Sequence, residues 1–163
     1  MATISNIVEH VKQTVKAPPT ATVTRYPHLL SGGFRDADLG GGRIELEEMV
    51  GQDGVFEVNI SEGTSVVVPL GGAVPTSFTD TFPVRLRYEG YGSHDRGQIL
   101  ERARLDQHAV VDALQRSSWV SVSGLVTLAA TPGNISQFVL RDDAGKEFEG
   151  YIAEVDVSVS YDI

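Results

Sequence analysis

Ser93-His94-Asp95 brings together the residue types of a nucleophile, a base and an orienting acid. A triad is a spatial arrangement with assigned roles, however, and neighbours in sequence do not converge on one another. The three residues read instead as the start of a helix, with Asp95 and Gln98 at capping-box spacing. Gly90-Tyr91-Gly92 stands between a strand and that helix, where backbone amides can hold a phosphate. Its spacing fits neither nucleotide motif. Asp95 occupies the place where G-x-G-x-x-G needs glycine, and Gly97 is followed by Gln98 and Ile99. His108 and Asp112, four apart on one helix, have the spacing of a shared metal. No third ligand is placed by sequence, and a solvated helix face carries the same pair. Asp142-Asp143 lacks the spacing and closing glutamate of a calcium loop and reads as a turn. No catalytic, cofactor or metal site is expected, and the chain does not read as an enzyme.

Two further groups are candidates for contact with a subunit or partner. Arg85, Arg87 and Glu89 alternate along one strand face, either solvated or meeting a neighbour. Phe34, Arg35 and Asp36 lie between Ser31-Gly32-Gly33 and Gly40-Gly41-Gly42, where Phe34 is a loop anchor or a binding tip. Long loops are uncommon in compact domains unless used for binding.

Composition narrows the class. The 163 residues suffice for one domain with a real core, and 41% hydrophobic with 21% charged residues is ordinary for a globular protein. The net charge of −9 opposes phosphate binding over the whole surface and suits a protein that sits beside DNA without holding it. Zero cysteines exclude disulfides, zinc thiolates and thiol catalysis. No apolar run approaches the roughly 20 residues of a membrane span. The opening MATISNIVEHVKQ has no basic segment followed by an apolar one, so no secretory leader is expected.

The elements that position these residues follow from periodicity. Ile4, Ile7, Val8, Val11 and Val15 recur at helical spacing, and Ala17-Pro18-Pro19 stops the helix. Thr20 to Tyr26, rich in β-branched residues, suggests a short strand. Ile44 to Ile60 reads as a hairpin turning at 51–54, and Val66-Val67-Val68 as a further strand. Phe82, Val84, Leu86 and Tyr88 alternate with charged residues, then a long helix runs from about 94 to 116. Its stripe is Leu100, Ala103, Gln107, Val110, Val111 and Leu114, with Asp106 and Asp112 mostly off it. Strands follow at 119–131 and 137–141, then the turn Asp142-Asp143-Ala144-Gly145 and an unbroken alternation from Tyr151 to Ile163. Strands in blocks rather than alternating with helices predict an α+β domain spanning residues 1–163. In it two main helices pack on a mixed, mostly antiparallel sheet with long glycine-rich loops.

The ending SQFVLRDDAGKEFEGYIAEVDVSVSYDI resembles the carboxyl-terminal hairpin of phage tail terminator proteins, the tail completion or minor tail protein U-like family. The order of elements is similar over most of the chain: an opening amphipathic helix, Phe82 to Tyr88 feeding a long helix, and a closing strand with Tyr161 near its end. Residues 27–80 are longer and richer in glycine than the family plan. The resemblance implies a virion protein forming a ring, commonly a hexamer, that caps the tail tube, stops its polymerisation and meets the head-completion or neck protein. DNA would pass through without specific binding, and no membrane or cofactor is involved. The alternatives are another neck or baseplate-type component of a tail or injection apparatus, or a small ligand-binding domain or enzyme with a hidden pocket.

Overall fold

Three long strands form the spine of the molecule, in a computed structural model that describes residues 3–29, 34–37, 46, 53–58, 60, 64–68, 77–90, 96–119, 122 and 124–162. The elements run α1 (Ile4–Lys16), α2 (Thr20–Arg25), a 3-10 turn (Pro27–Leu29), β1 (Arg35–Asp36), β2 (Val55–Val58), β3 (Thr64–Val68), β4 (Ser77–Gly90), α3 (Arg96–Arg116), β5 (Leu125–Arg141) and β6 (Glu147–Asp162). The sheet order is β1-β2-β4-β6-β5, with β3 beside β2 on the same edge of β4. Among the described strands only the β1–β2 pair is parallel, so the sheet is mixed and mostly antiparallel. With α1 and α3 as its main helices, the protein belongs to the α+β class.

The helices share one face of the sheet. In α1, Ile7, Val11 and Val15 are buried, Thr3 caps the start by accepting the Asn6 amide at 3.2 Å, and Pro18-Pro19 prevents continuation. Against them and α3 stand Phe82, Val84, Leu86 and Tyr88 of β4, and Ala153, Val155, Val157, Val159 and Tyr161 of β6. Register fixes this alignment: Phe82 faces Val157, Val84 faces Val155 and Leu86 faces Ala153. The alternation buries its odd-numbered face from Ala153 to Tyr161, while Tyr151 is half-buried and Ile152 is buried on the opposite face.

Two expectations are corrected. Thr20–Arg25 is helical, not a strand. Pro19 (φ −55°) starts the turn, and buried Thr22 donates to Asp112 at 2.7 Å, so a tertiary anchor overrides a weak β propensity. The expected strands at 119–131 and 137–141 are one strand, β5, with a bulge between Pro132 and Ile135 where a loop was read. Trp119 precedes it, with its indole N–H donating to the Leu114 carbonyl at 3.2 Å. The glycine clusters 31–33 and 40–42, the hairpin strand around Ile44 and the 91–95 segment lie outside the described residues, apart from Leu46.

Two glycines carry the closing hairpin. Gly145 has φ +80° in the turn, and its N–H donates to the Asp142 carbonyl at 3.0 Å. Gly150 is crossed so closely by the Tyr88 carbonyl and the Phe138 ring that no Cβ fits.

Candidate functional site

Helix α3 carries polar side chains on its buried face, and they organise the chemistry of the molecule. Ala103, Asp106, Ala109, Val110 and Ala113 recur at spacings of three and four, so Asp106 shares the face of the alanines and is 1% exposed. Its placement off the stripe is therefore corrected; the run of small residues around it is the signal that locates it. Oδ2 of Asp106 accepts the Tyr88 hydroxyl at 2.7 Å, and Oδ1 lies 2.5 Å from Nε2 of His28. Burial pushes the Tyr88 hydroxyl well above its usual pKa, and the Asp106 charge adds to that. Arg102 lies 3.7 Å from Asp106 and donates to Asp53 at 3.1 Å. Burial opposes the Arg102 charge, but Asp53 and Asp106 outweigh it and raise its pKa.

Asp53 carries the network to the other side of the sheet, because its Oδ1 accepts the Glu89 amide at 3.1 Å. There Arg87, fully buried, pairs with Glu89 at 2.5 Å and lies 4.7 Å over the Phe138 ring. Arg85 bridges Glu57 at 2.9 Å and Glu154 at 3.6 Å. The register explains the grouping: Val55, Arg87, Ile152 and Ser136 form one cross-strand row, and Glu57, Arg85 and Glu154 the next. Leu46, Val55 and Ile152 close over this end with Ala37 and Phe138 against them.

The candidate contact residues thus divide. Arg85, Arg87 and Glu89 are buried and make ion pairs within the chain. Phe34 is buried edge-on to Tyr88 at 6.5 Å between ring centres, so it is an anchor. Arg35 is exposed and bonds the Asp53 carbonyl at 3.2 Å, while Asp36, half-buried, receives Lys12 and Lys16 of α1 at 3.9 and 3.7 Å.

His108 and Asp112 are not brought together around a metal. His108 is exposed, and Asp112 takes Thr22 at 2.7 Å, Arg116 at 2.9 Å and Arg25 at 3.3 Å. Burial works against the Asp112 charge, but those hydrogen bonds and cations prevail and lower its pKa. Among the described residues no three His, Asp or Glu side chains converge as metal ligands. Gln107, also buried, donates to the Gly133 carbonyl at 3.1 Å and the Glu154 carbonyl at 2.7 Å, which satisfies acceptors at the β5 bulge.

Two surfaces remain open. Between the ends of α1 and α3, Gln13, Thr14, Ala17, Pro19, Ser117 and Ser118 line an open groove of about 330 Å³. Two of its hydroxyls are engaged: Thr14 donates to the His10 carbonyl and Ser117 to the Leu114 carbonyl. Beside it the His10 ring lies tilted at 48° against Trp119, 4.0 Å between centroids, and burial lowers its pKa. The second surface is the lower end of the far sheet face. On β6, Ser160 stands between Thr79 and Thr127, Ser158 between Thr81 and Ala129, and Asp156 between Pro83 and Thr131. These side chains are half-buried or exposed, with Asp156 and Asp162 exposed.

No helix among the described residues is long and apolar enough to cross a membrane. Neither a protein-family model nor a curated protein matches the chain.

Proposed function

We propose that the protein is a ring-forming structural subunit of a phage tail terminator. It would cap the tail tube, end its polymerisation and dock the head-completion or neck protein, with DNA passing through the ring. The observation that supports this most is the one-sided sheet. Helices cover one face, while the lower end of the other presents hydroxyls with Asp156 and Asp162 exposed. Among the described residues this surface carries no cation, so a phosphate backbone would slide past it rather than be held. The acidic balance of the whole chain points the same way. The ionic clusters are engaged within the subunit, which suits a scaffold better than a catalyst.

The test is native mass, measured alone and with purified tail tube protein, together with tube length. A ring-sized species that stops tube elongation is the expected result. A strict monomer under both conditions, with tubes growing on unchanged, sinks the reading.

One observation favours a second reading, a small enzyme or ligand-binding domain. His28 held by buried Asp106 has the form of an oriented general base, and its side chain is 32% exposed. Against it, Tyr88 and Asp106 are consumed by one another. Replacing His28 with Gln separates the readings: an enzyme loses its activity, whereas a scaffold keeps tube capping.

A further inference from the structure

We infer that the outer edge of β5 is an assembly edge, which pairs through its main chain with a strand of a second copy of this chain. β5 runs the length of the sheet, and β6 is its strand partner among the described residues. An edge of that length exposes a row of backbone donors and acceptors that templates further pairing. Soluble proteins blunt such edges with charge, Lys above all. This one carries a single charge, Arg141 at its very end, where it pairs with Glu147 of β6. From Ser117 through Leu140 there is no Asp, Glu, Lys, Arg or His, in a chain whose charged content is 21%.

The composition also selects the occupant. At a net charge of −9 two copies repel each other over most of their surface. An uncharged strand edge is where they approach at least electrostatic cost, and a strongly charged partner gains nothing there. The exposed positions Thr127, Ala129, Thr131 and Val139 are small or β-branched, types that fit a pleated strand surface, and Val139 is 54% exposed.

The edge does hold two irregularities that blunt it, a register shift between Leu125 and Thr127 at its start and Pro132 with the bulge to Ile135. The second lies mid-strand, and the regular runs Thr127–Thr131 and Ile135–Arg141 on either side are each as long as an ordinary strand. The bulge therefore divides the edge into two pairing segments and pins their register. This inference deepens the ring reading and rests on it for how the assembly closes, but not for which edge is used.

The experiment compares wild type with Ala129→Lys/Val139→Lys, and with Asp156→Lys as a control on the open face. All three sites are exposed, so an unchanged circular dichroism spectrum and melting midpoint establish that each variant folds. Native mass is read alone and on purified tail tubes, and amide exchange is followed along β5. The expected result is an assembled wild type and control, and a monomeric edge variant. In the assembly successive β5 amides are slow, whereas in the variant every second one is fast. An edge variant of wild-type mass, a control that alone dissociates, or a wild type monomeric in both settings overturns the inference. A wild type that assembles through β5 yet leaves tube growth unchanged upholds the inference and overturns the terminator reading instead.

Discussion

Strand β4 has two different ends on one face. At the upper end Arg85, Arg87 and Glu89 are buried, while at the lower end Ser77, Thr79 and Thr81 stay half-open. The strand is continuous and the parity is the same, so alternation cannot be the cause. The ends differ in what lies beside and above them. Upward, β2 places Val55 next to Arg87, Phe138 and Leu46 close the layer, and carboxylates from three segments meet the guanidinium groups. Downward, hydroxyls bond each other across strands, Thr79 to Ser160 at 2.9 Å and Thr81 to Ser158 at 3.4 Å, and remain within reach of water. A charged strand face is thus not a surface in itself. It becomes interior wherever enough opposite charge converges to offset its desolvation.

The largest effect expected from this contrast is at Arg87. Arg87→Ala strands Glu89 in a dry layer and costs about 3–5 kcal/mol in denaturant unfolding. Arg87→Met with Glu89→Leu recovers most of that loss, because an apolar pair needs no compensation. A single-variant cost below about 1 kcal/mol, the usual value of an exposed pair, means that the upper end is wet and the contrast collapses.

Gln107→Leu comes next. It leaves the Gly133 and Glu154 carbonyls without their shared donor, at a cost of about 1–3 kcal/mol. Amide exchange speeds up at 133–135 first, since the bulge is where the helix and the edge strand are joined. Uniform acceleration along β5 removes that role for Gln107.

The core side of the strand offers a pH comparison. Tyr88 donates to Asp106 at the upper end, and Tyr161 donates to Asp80 at the lower end. Burial and then Asp80 push the Tyr161 hydroxyl up to about 12. A raised folded-state pKa gives stability that is complete below the unfolded value of 10.0 and is lost as pH rises towards about 12. Tyr161→Phe flattens that alkaline decline, and tyrosinate absorbance shows Tyr161 ionising before Tyr88, which is more deeply buried. Reversal of that order contradicts the assignment.

The smallest effect belongs to the open end. Thr81→Val stays within about 0.5 kcal/mol, because water replaces the lost hydroxyl contact. A loss comparable to Arg87→Ala makes the two ends alike.

Much of the fold was legible in the chain. The α1 stripe, the closing alternation and the Asp142–Gly145 turn are local patterns, set by 3.6-residue and two-residue periods and by glycine φ. α2 was not legible, because its cause is the bond from Thr22 to Asp112, 90 residues away. Nor was the union of β5, since Pro132-Gly133 marks a loop locally and only Gln107 makes it a bulge. The site was least legible. His28 and Asp106 are separated by 78 residues, and nothing local says that a histidine in a turn faces a carboxylate on α3.

The sequence by itself determined the α+β class, the one-sided apolar strands, the acidic balance and the uncharged stretch from Ser117 to Leu140. These are properties of neighbouring residues or of sums over the chain, so they need no partner in space. Tertiary structure alone decided which charges are buried, which carboxylate holds His28, and that the uncharged stretch contributes the outermost strand of the sheet. Each depends on groups far apart in the chain meeting at a few ångströms, where desolvation and pairing decide the outcome and periodicity carries no information.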